Sequence, residues 1–240
     1  MKSRALIAIT ARGAKEDSPL SVSAQYINAL KQAGAQVCTF FPTDKKEEIE
    51  SIISSVDGLV LSGGADIDPT LYGGESSRYT AELDVERDRF EIALAQVAMN
   101  RRIPVLGICR GMQILAIAEG GSLYTHLPDD LNTSQHRQEC DLRKWLAASH
   151  DVEFAHRSLV ARTLGEKIVS VVSCHHQAVK NLPDNWLAVG HASDGVIEAM
   201  EHSDHWAIGV QWHPEMTLER NVAHKRLFNS FVHQAVIRKT

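Results

Sequence analysis

The sequence contains few cysteines and no pair of them at short spacing. Its 240 residues include four, Cys38, Cys109, Cys140 and Cys174. Without a Cys-x-x-Cys pair, this spacing argues against a cysteine-based zinc site and against a small disulfide-stabilised scaffold. The cysteine usage therefore indicates a reducing compartment.

Long apolar runs and a strong excess of charge of either sign are also missing. No stretch is long enough to span a membrane, and the first apolar run, residues 5–9, is too short for the core of a signal peptide. The 25 Lys and Arg residues against 30 Asp and Glu residues give a formal net charge of −5, which offers no basic surface for nucleic acid. We therefore expect a cytoplasmic protein that binds neither nucleic acid nor membrane.

The length and composition fit one α/β domain. A hydrophobic fraction of 44% and a charged fraction of 23% are those of an ordinary globular protein, and a chain of this length can bury a sizeable core. Neither an internal repeat nor a low-complexity tract interrupts it. We predict a single domain over residues 1–240.

The first part of the chain alternates short apolar runs with helical periodicity. Strands are predicted at residues 5–10, 37–41 and 58–61, with helical patterns between them. This βαβαβ order predicts a parallel sheet, and such sheets hold ligands at the carboxyl ends of their strands. A long helix ends near Asn100, and we interpret its charged start, residues 84–91, as a solvated face with local ion pairs.

A glycine-containing loop follows the third predicted strand. It spans residues 62–69, and the adjacent Gly63 and Gly64 would allow a peptide N–H to turn toward a bound anion. An ordinary surface turn is an equally good explanation of these glycines alone. The loop is therefore a candidate ligand site.

Residues 105–121 contain the most informative pattern. An apolar run ends at Ile108 and is followed by helix-favouring residues, so Cys109 lies at a strand-to-helix junction. A tight turn of this kind is a nucleophile elbow. The helix that begins at Arg110 points its N–H groups at the sulfur and favours the thiolate. The alternative is an inert buried cysteine.

A histidine and a glutamate follow the last predicted strand. If the backbone stays extended through Pro214, His213 and Glu215 project from the same side, and the carboxylate can orient the imidazole. Together with Cys109 they would form a catalytic triad.

Between these motifs and the last strands lies a polar, irregular stretch, residues 127–156. Four histidines are scattered in and beside it: His126, His136, His150 and His156. Their spacing fits no zinc pattern, so we predict no metal site. Beyond it, strands are predicted at residues 168–172, 186–191, 196–201 and 206–212, and a helix at 218–236.

The two motifs around Cys109 and His213 resemble the class I glutamine amidotransferase superfamily. Within it, residues 63–69, 71–73, 84–91 and 173–177 are similar to the γ-glutamyl-γ-aminobutyrate hydrolase family, and the resemblance covers almost the whole chain. It implies a flavodoxin-like α/β fold, with a central, mostly parallel sheet flanked by helices and a small antiparallel extension.

The resemblance also implies roles for individual residues. Cys109 would be the nucleophile, His213 the general base and acid, and Glu215 the group that orients it. The backbone N–H groups of Gly64 and Arg110 would bind the oxyanion. The implied substrate-binding positions are Gly63, Gln113, His176 and Gln177. His175 is equally well explained as a packed core histidine.

The implied reaction is hydrolysis of a small γ-glutamyl compound to glutamate and an amine through a γ-glutamyl thioester, without a metal or organic cofactor. Ala116, Glu119 and residues 129–156 depart from the family pattern, which leaves the amine unidentified. One alternative is a glutaminase subunit that supplies ammonia to a partner synthase. Another is a non-catalytic binding or stress-response module. The oligomeric state, monomer or homodimer, is open.

Overall fold

The computed structural model describes residues 4–12, 23–75, 77–137 and 148–239. Its strands are β1 (Leu6–Thr10), β2 (Gln36–Phe40), β3 (Gly58–Leu61), β4 (Val105–Ile108), β5 (Ser122–Tyr124), β6 (Ala148–Phe154), β7 (Ile168–Ser173), β8 (Ala178–Asn181), β9 (Trp186–Ala192), β10 (Ile197–His202) and β11 (Ala207–Val210). Most of them lie within two residues of the predicted apolar runs.

The helices are α1 (Ala24–Gln32), α2 (Lys46–Ser55), α3 (Val85–Asn100), α4 (Arg110–Ala118), α5 (Leu127–Leu131), α6 (Leu159–Leu164) and α7 (Val222–Lys239). Two short 3₁₀ helices cover Pro69–Tyr72 and Pro214–Met216. Among the described helices, none has the length and apolar character needed to cross a membrane.

One nine-stranded sheet has a parallel half and an antiparallel half. Its order is β2-β1-β3-β4-β11-β10-β9-β6-β7. The first five strands pair in parallel, in the flavodoxin-like order. From β11 onward every pairing is antiparallel. The predicted α/β class is confirmed, but the antiparallel part is larger than a small extension.

The largest difference from the sequence prediction lies in the polar stretch 127–156. It contains α5 and the seven-residue strand β6. In β6 the buried Val152 and Phe154 alternate with exposed polar residues. One face of this strand meets solvent, so about half of its residues are polar. The alternation of apolar and polar residues is therefore too short to be recognised in the sequence. Residues 138–147 of the stretch lie outside the described part of the chain.

Helices cover both faces of the sheet. On one face α1, α6 and α7 pack through residues such as Leu30, Val160 and Phe228. On the other face α2, α3 and α4 pack through residues such as Ile53, Phe90 and Leu115. Neighbouring residues of β1 point to opposite faces, as strand geometry requires. The strand ends are therefore fixed between two packed layers.

Candidate active site

Three neighbouring strands end side by side at the carboxyl edge of the sheet. Gly107 of β4 is in register with Leu61 of β3 on one side and with Gly209 of β11 on the other. The glycine-containing loop, Cys109 and the segment with His213 follow these three strands. The register therefore brings together the three motifs found in the sequence.

Cys109 occupies the turn from β4 to α4. Its backbone has φ 54° and ψ −110°, a conformation that a non-glycine residue adopts only under strain. Its own N–H donates to the carbonyl of Val210 at 2.8 Å. A Cβ at Gly111 would lie 2.0 Å from the carbonyl oxygen of Leu61, so only glycine lets α4 approach β3 this closely. The predicted elbow is present in the backbone.

His213 and Glu215 are in direct contact. Nδ1 of His213 lies 2.8 Å from Oε1 of Glu215, and both side chains are buried. The extended backbone on which this expectation was conditional is not present, because Pro214 begins a 3₁₀ helix. Burial alone would lower the pKa of His213, but Cys109 and Glu215 together raise it well above its usual value. The helical turn, not strand alternation, creates the contact.

Tyr26 of α1 is a site residue that the sequence did not identify. Its hydroxyl oxygen accepts the N–H of Gly63 at 3.2 Å and lies 3.5 Å from Nδ1 of His213. Burial, with the charges of Glu215 and Cys109, raises its pKa well above the usual value, so the phenol stays protonated. In the sequence, Tyr26 occupies an apolar position in the helical pattern of α1, and this pattern indicates a core residue and not a site residue.

A buried charge cluster lies behind the glycine loop. Arg110 contacts Asp88 and Glu91, and Nε of Arg87 lies 2.8 Å from Oε1 of Glu91. All four side chains are at most 4% exposed. The interpretation of residues 84–91 as a solvated face was therefore wrong for these residues of α3. Ion pairs within residues 84–91 were expected. The pairing of Asp88 and Glu91 with Arg110 was not, because Arg110 is distant in sequence and no local pattern indicates the contact.

This charge cluster also fixes the glycine loop. Nη2 of Arg87 donates to the carbonyl of Gly63 at 3.1 Å, and the N–H of Asp68 donates to Oδ2 of Asp88 at 3.0 Å. The C=O and N–H of a trans peptide point in opposite directions. The contact with Arg87 therefore turns the N–H of Gly64 away from the cluster.

Gly63 and Gly64 are needed because a side chain at either position would clash with its neighbours, and not because the backbone there adopts positive φ. Neither is among the described glycines with positive φ. A Cβ at Gly63 would lie 2.7 Å from the hydroxyl of Tyr26, and one at Gly64 would lie 2.5 Å from Nη1 of Arg87. The loop can approach α1 and α3 only without side chains.

Three of the four implied substrate-binding residues, all except Gly63, are buried and already hydrogen-bonded. Nε2 of Gln113 donates to the carbonyl of Gln177 at 3.0 Å. Nε2 of His176 lies 2.9 Å from Oδ1 of Asp66, and its Nδ1 lies 2.9 Å from Nδ1 of His126. Oε1 of Gln177 accepts the N–H of Ile67 at 3.3 Å. These contacts connect the 174–177 segment to the glycine loop.

All nine residues singled out in the sequence line one cavity of about 790 Å³. They are Gly63, Gly64, Cys109, Arg110, Gln113, His176, Gln177, His213 and Glu215. The same cavity also exposes charged groups of both signs, from Arg12, Glu82 and Arg137. Its volume is that of a small-molecule site.

The cysteines differ in environment. Cys109 lines the cavity, while Cys38 on β2 is half-buried, and burial raises the pKa of its thiol. Cys174 also lines the cavity but is disulfide-bonded, which departs from the expectation of reduced cysteines. Spacing along the sequence could not indicate this. Cys140 lies outside the described residues.

Two departures from the family pattern lie away from the cavity. Ala116 is packed in the core of the α4 face. Glu119, at the end of α4, accepts the indole N–H of Trp186 at 2.8 Å. Neither residue is among those that line the cavity.

Comparisons with known proteins find a family and relatives that match most of the chain. The model of the family described as peptidase C26 matches residues 5–215. The "putative glutamine amidotransferase-like protein YvdE" of Lactococcus lactis is 34% identical over 211 residues, 88% of this chain and 87% of that protein. The γ-glutamyl-γ-aminobutyrate hydrolase PuuD of Escherichia coli K12 is 31% identical over 214 residues, 87% and 84% of the two chains.

A solved structure shows the same fold. The crystal structure of a "putative GMP synthase" protein from Thermoplasma acidophilum has a TM-score of 0.68 and 18% identity, and the match covers 99% of this chain and 96% of that chain. At this identity the likeness concerns architecture.

Proposed function

Because the chain belongs to the peptidase C26 family, of the class I glutamine amidotransferase type, we propose that it is a cysteine-dependent hydrolase of small γ-glutamyl amides. The observation that carries the proposal is the contact of 2.8 Å between His213 and Glu215 beside the strained Cys109 elbow. The products are glutamate and an amine.

The first chemical step is attack of Sγ of Cys109 on the side-chain amide carbonyl of the substrate. Glu215 binds Nδ1 of His213, so Nε2 remains for the thiol and for the departing amine. His213 takes the thiol proton and gives it to the amine nitrogen as the C–N bond breaks. A γ-glutamyl thioester remains on Cys109.

The second step is hydrolysis of this thioester. Water loses a proton to His213 and attacks the acyl carbon, and His213 returns that proton to Sγ as the C–S bond breaks, which releases glutamate and restores the thiol. Both steps form a tetrahedral oxyanion. We assign its stabilisation to the N–H groups of Gly64 and Arg110, which no hydrogen bond among the described residues uses. Loss of one such donor typically costs about 10²–10³ in rate.

The contact of Arg87 with Gly63 supports this assignment. It holds the peptide so that the N–H of Gly64 points away from the charge cluster. Arg110 supports it as well, because its side chain is anchored on Asp88 and Glu91 while its backbone begins α4. The donors are thus fixed before substrate binds, which is what electrostatic stabilisation requires.

Recognition of the glutamyl group is also part of the proposal. A free glutamyl head carries an α-ammonium and an α-carboxylate, and the cavity is lined by groups of both signs: Arg137, and the ion pair of Arg12 with Glu82 at 3.0 Å, whose members could exchange their mutual contact for the substrate. An internal peptide residue lacks these charges and would leave polar groups unpaired. We infer that specificity lies on the acyl side. Gln113 and Gln177 shape this wall through their contact with each other, and His176 shapes it through its contact with Asp66.

The test compares kcat/KM for γ-glutamyl-γ-aminobutyrate, its α-glutamyl isomer and free glutamine. We expect a clear preference for the γ-glutamyl amide. Rapid quench followed by intact mass spectrometry should detect a glutamyl adduct on Cys109, and Cys38→Ala is the matched control because Cys38 is the other free thiol among the described residues.

The possible results separate the competing functions. A preference for the α isomer contradicts the proposal. A preference for glutamine favours a glutaminase that supplies ammonia to a synthase. Turnover of none of these compounds, with a folded protein, favours the non-catalytic module.

A further inference from the structure

A second buried cluster lies in the antiparallel half of the sheet and plays no part in the proposed reaction. Its centre is Glu198 of β10, which is fully buried. Three histidines from other segments surround it: His136 after α5, His150 on β6 and His175 after β7. Their nearest ring nitrogens lie 3.0, 3.3 and 3.2 Å from the same oxygen, Oε1 of Glu198.

The outer nitrogens of two of these rings are held by acceptors. Nε2 of His136 lies 3.0 Å from Oδ2 of Asp194, and Nδ1 of His175 lies 2.9 Å from the carbonyl oxygen of Gln177. Nε2 of His175 also lies within hydrogen-bond distance of Oε1 of Glu198, at 3.2 Å. A neutral imidazole carries one proton, so a ring between two acceptors satisfies only one of them. With their outer nitrogens protonated, His136 and His175 present lone pairs to the carboxylate of Glu198. A cation among these atoms, either an added ring proton or a metal ion, resolves this conflict.

The directions of the inner nitrogens point to the same conclusion. Nδ1 of His136 and Nε2 of His150 are close to Oε1, yet among the described residues neither has a hydrogen-bond partner of acceptable angle. Oε2 of Glu198 is likewise unpartnered. One ligand atom from each of His136, His150 and Glu198 lies within 4.8 Å of the others. His175 joins this group through the 3.2 Å separation between its Nε2 and Oε1 of Glu198.

The separations from Glu198 match those between the ligands of a metal centre. In a tetrahedral zinc site with bonds of roughly 2.0–2.1 Å, the ligand atoms lie roughly 3.3–3.4 Å apart. The separations from Oε1 of Glu198 are 3.0, 3.3 and 3.2 Å. Metal-bound histidines commonly donate their outer N–H to a carboxylate or a backbone carbonyl, as the rings of His136 and His175 do here.

We propose that this cluster binds one divalent transition-metal ion of the zinc type. The ligands are Nδ1 of His136, Nε2 of His150, Nε2 of His175 and the carboxylate of Glu198. Imidazole and carboxylate donors suit such ions. Four protein ligands close the coordination sphere, which is the arrangement of a structural site and not of a catalytic one.

Such an ion would hold one wall of the substrate cavity. Arg137 and the segment 175–177 line that cavity directly beside the ligands His136 and His175. The ion would tie these two loops to β6 and β10, which are separated from them along the chain. The proposal is independent of the reaction assigned to Cys109.

The test measures zinc on the purified full-length chain. After chelator treatment and dialysis, Zn²⁺ titration should give one tightly bound ion per chain, and zinc should raise the melting temperature. His150→Asn removes a half-buried ligand, and we expect it to weaken zinc binding by at least about 100-fold. Asp194→Asn, which alters only the outer partner of His136, should weaken it by about 10–100-fold. Far-ultraviolet circular dichroism checks that each variant folds.

His205→Asn is the matched control. His205 is also half-buried, and its ring nitrogens also lack partners among the described residues, but it packs against His202 and not against Glu198. It should bind zinc like the unaltered chain. The proposal is overturned if the unaltered chain takes up no stoichiometric zinc, if His150→Asn binds zinc equally well, or if His205→Asn loses as much affinity as His150→Asn.

Discussion

The parallel and antiparallel halves of the sheet support the cavity in different ways. Behind the parallel half, the buried carboxylates Asp88 and Glu91 are paired with Arg110 and Arg87, so that the chain itself supplies both signs of charge. In the antiparallel half, Glu198 is surrounded by imidazoles and keeps an unpartnered oxygen among the described residues. The first cluster is balanced by the chain's own cations, and the second is the site at which we propose a metal ion.

This difference assigns different tasks to the two halves. In the paired cluster, Arg110 and Arg87 keep the pKa of Glu91 below its usual value although burial opposes this. That cluster fixes the elbow and the glycine loop, where displacements of an ångström would matter for the chemistry. The histidine cluster fixes a cavity wall, and its stability should depend on metal supply. The two halves can be separated by substitutions that affect one and spare the other.

The largest effect is expected from Cys109→Ala in the parallel half. Turnover should fall by on the order of 10⁶-fold, because the nucleophile is removed. The unfolding midpoint in denaturant should change little, since one small buried side chain replaces another. Cys38→Ala, at the other free cysteine of the described chain, should leave turnover unchanged. Near-normal rates in Cys109→Ala would exclude covalent catalysis.

Glu215→Gln, at the junction of the two halves, should lower kcat by about 10⁴-fold, because the imidazole loses the carboxylate that orients it. It should also change the pH dependence of stability. The pKa of His213 is raised in the folded state, so its contribution is complete below about pH 6.5 and is lost as pH rises through the folded pKa.

With Gln at position 215, one of the charges that raise the pKa of His213 is removed. The folded pKa then moves toward the unfolded value, and the loss of stability above about pH 6.5 becomes smaller. Urea unfolding at a series of pH values measures this. An unchanged slope in the variant would show that Glu215 does not act on His213.

Arg110→Met tests whether the buried carboxylates Asp88 and Glu91 need both of their arginine partners. It leaves Asp88 and Glu91 buried with one cation fewer, and breaking such a pair typically costs about 3–5 kcal/mol. The free energy of unfolding is the measurement, and the backbone N–H of residue 110 is retained. Lys167→Met breaks an exposed pair with Glu153 in the antiparallel half and should have no measurable effect. Equal effects of the two substitutions would contradict the comparison.

The sequence predicted the elements and motifs of the parallel half well. Apart from the edge strand β2, its strands are short apolar runs buried on both faces, and the Cys109 elbow is encoded by consecutive residues. Local patterns suffice there because the motifs follow directly on their strands. The contact between His213 and Glu215 was also expected, although through a different backbone conformation.

The remaining site residues could not be predicted because their partners are distant in sequence. Tyr26 meets His213 across 187 positions, and Arg110 meets Asp88 across 22. The histidine cluster draws its ligands from four segments, so no short spacing marks it. Such sets form only when the sheet order brings the segments together, and the sequence pattern contains no information on that order for the antiparallel half.

The smallest effect is expected where the two halves meet outside the cavity. Glu119 at the end of α4 accepts the indole N–H of Trp186, which begins β9, at 2.8 Å. Glu119→Ala leaves that buried donor without its acceptor, and the cost should be about 1 kcal/mol, because the exposed position allows water to replace the carboxylate. Glu119→Gln keeps an acceptor and is the matched control. Since neither residue lines the cavity, the ratios of kcat/KM among γ-glutamyl amides of different amines should be unchanged in Glu119→Ala. A changed preference for the amine would show that this contact between the halves reaches the site.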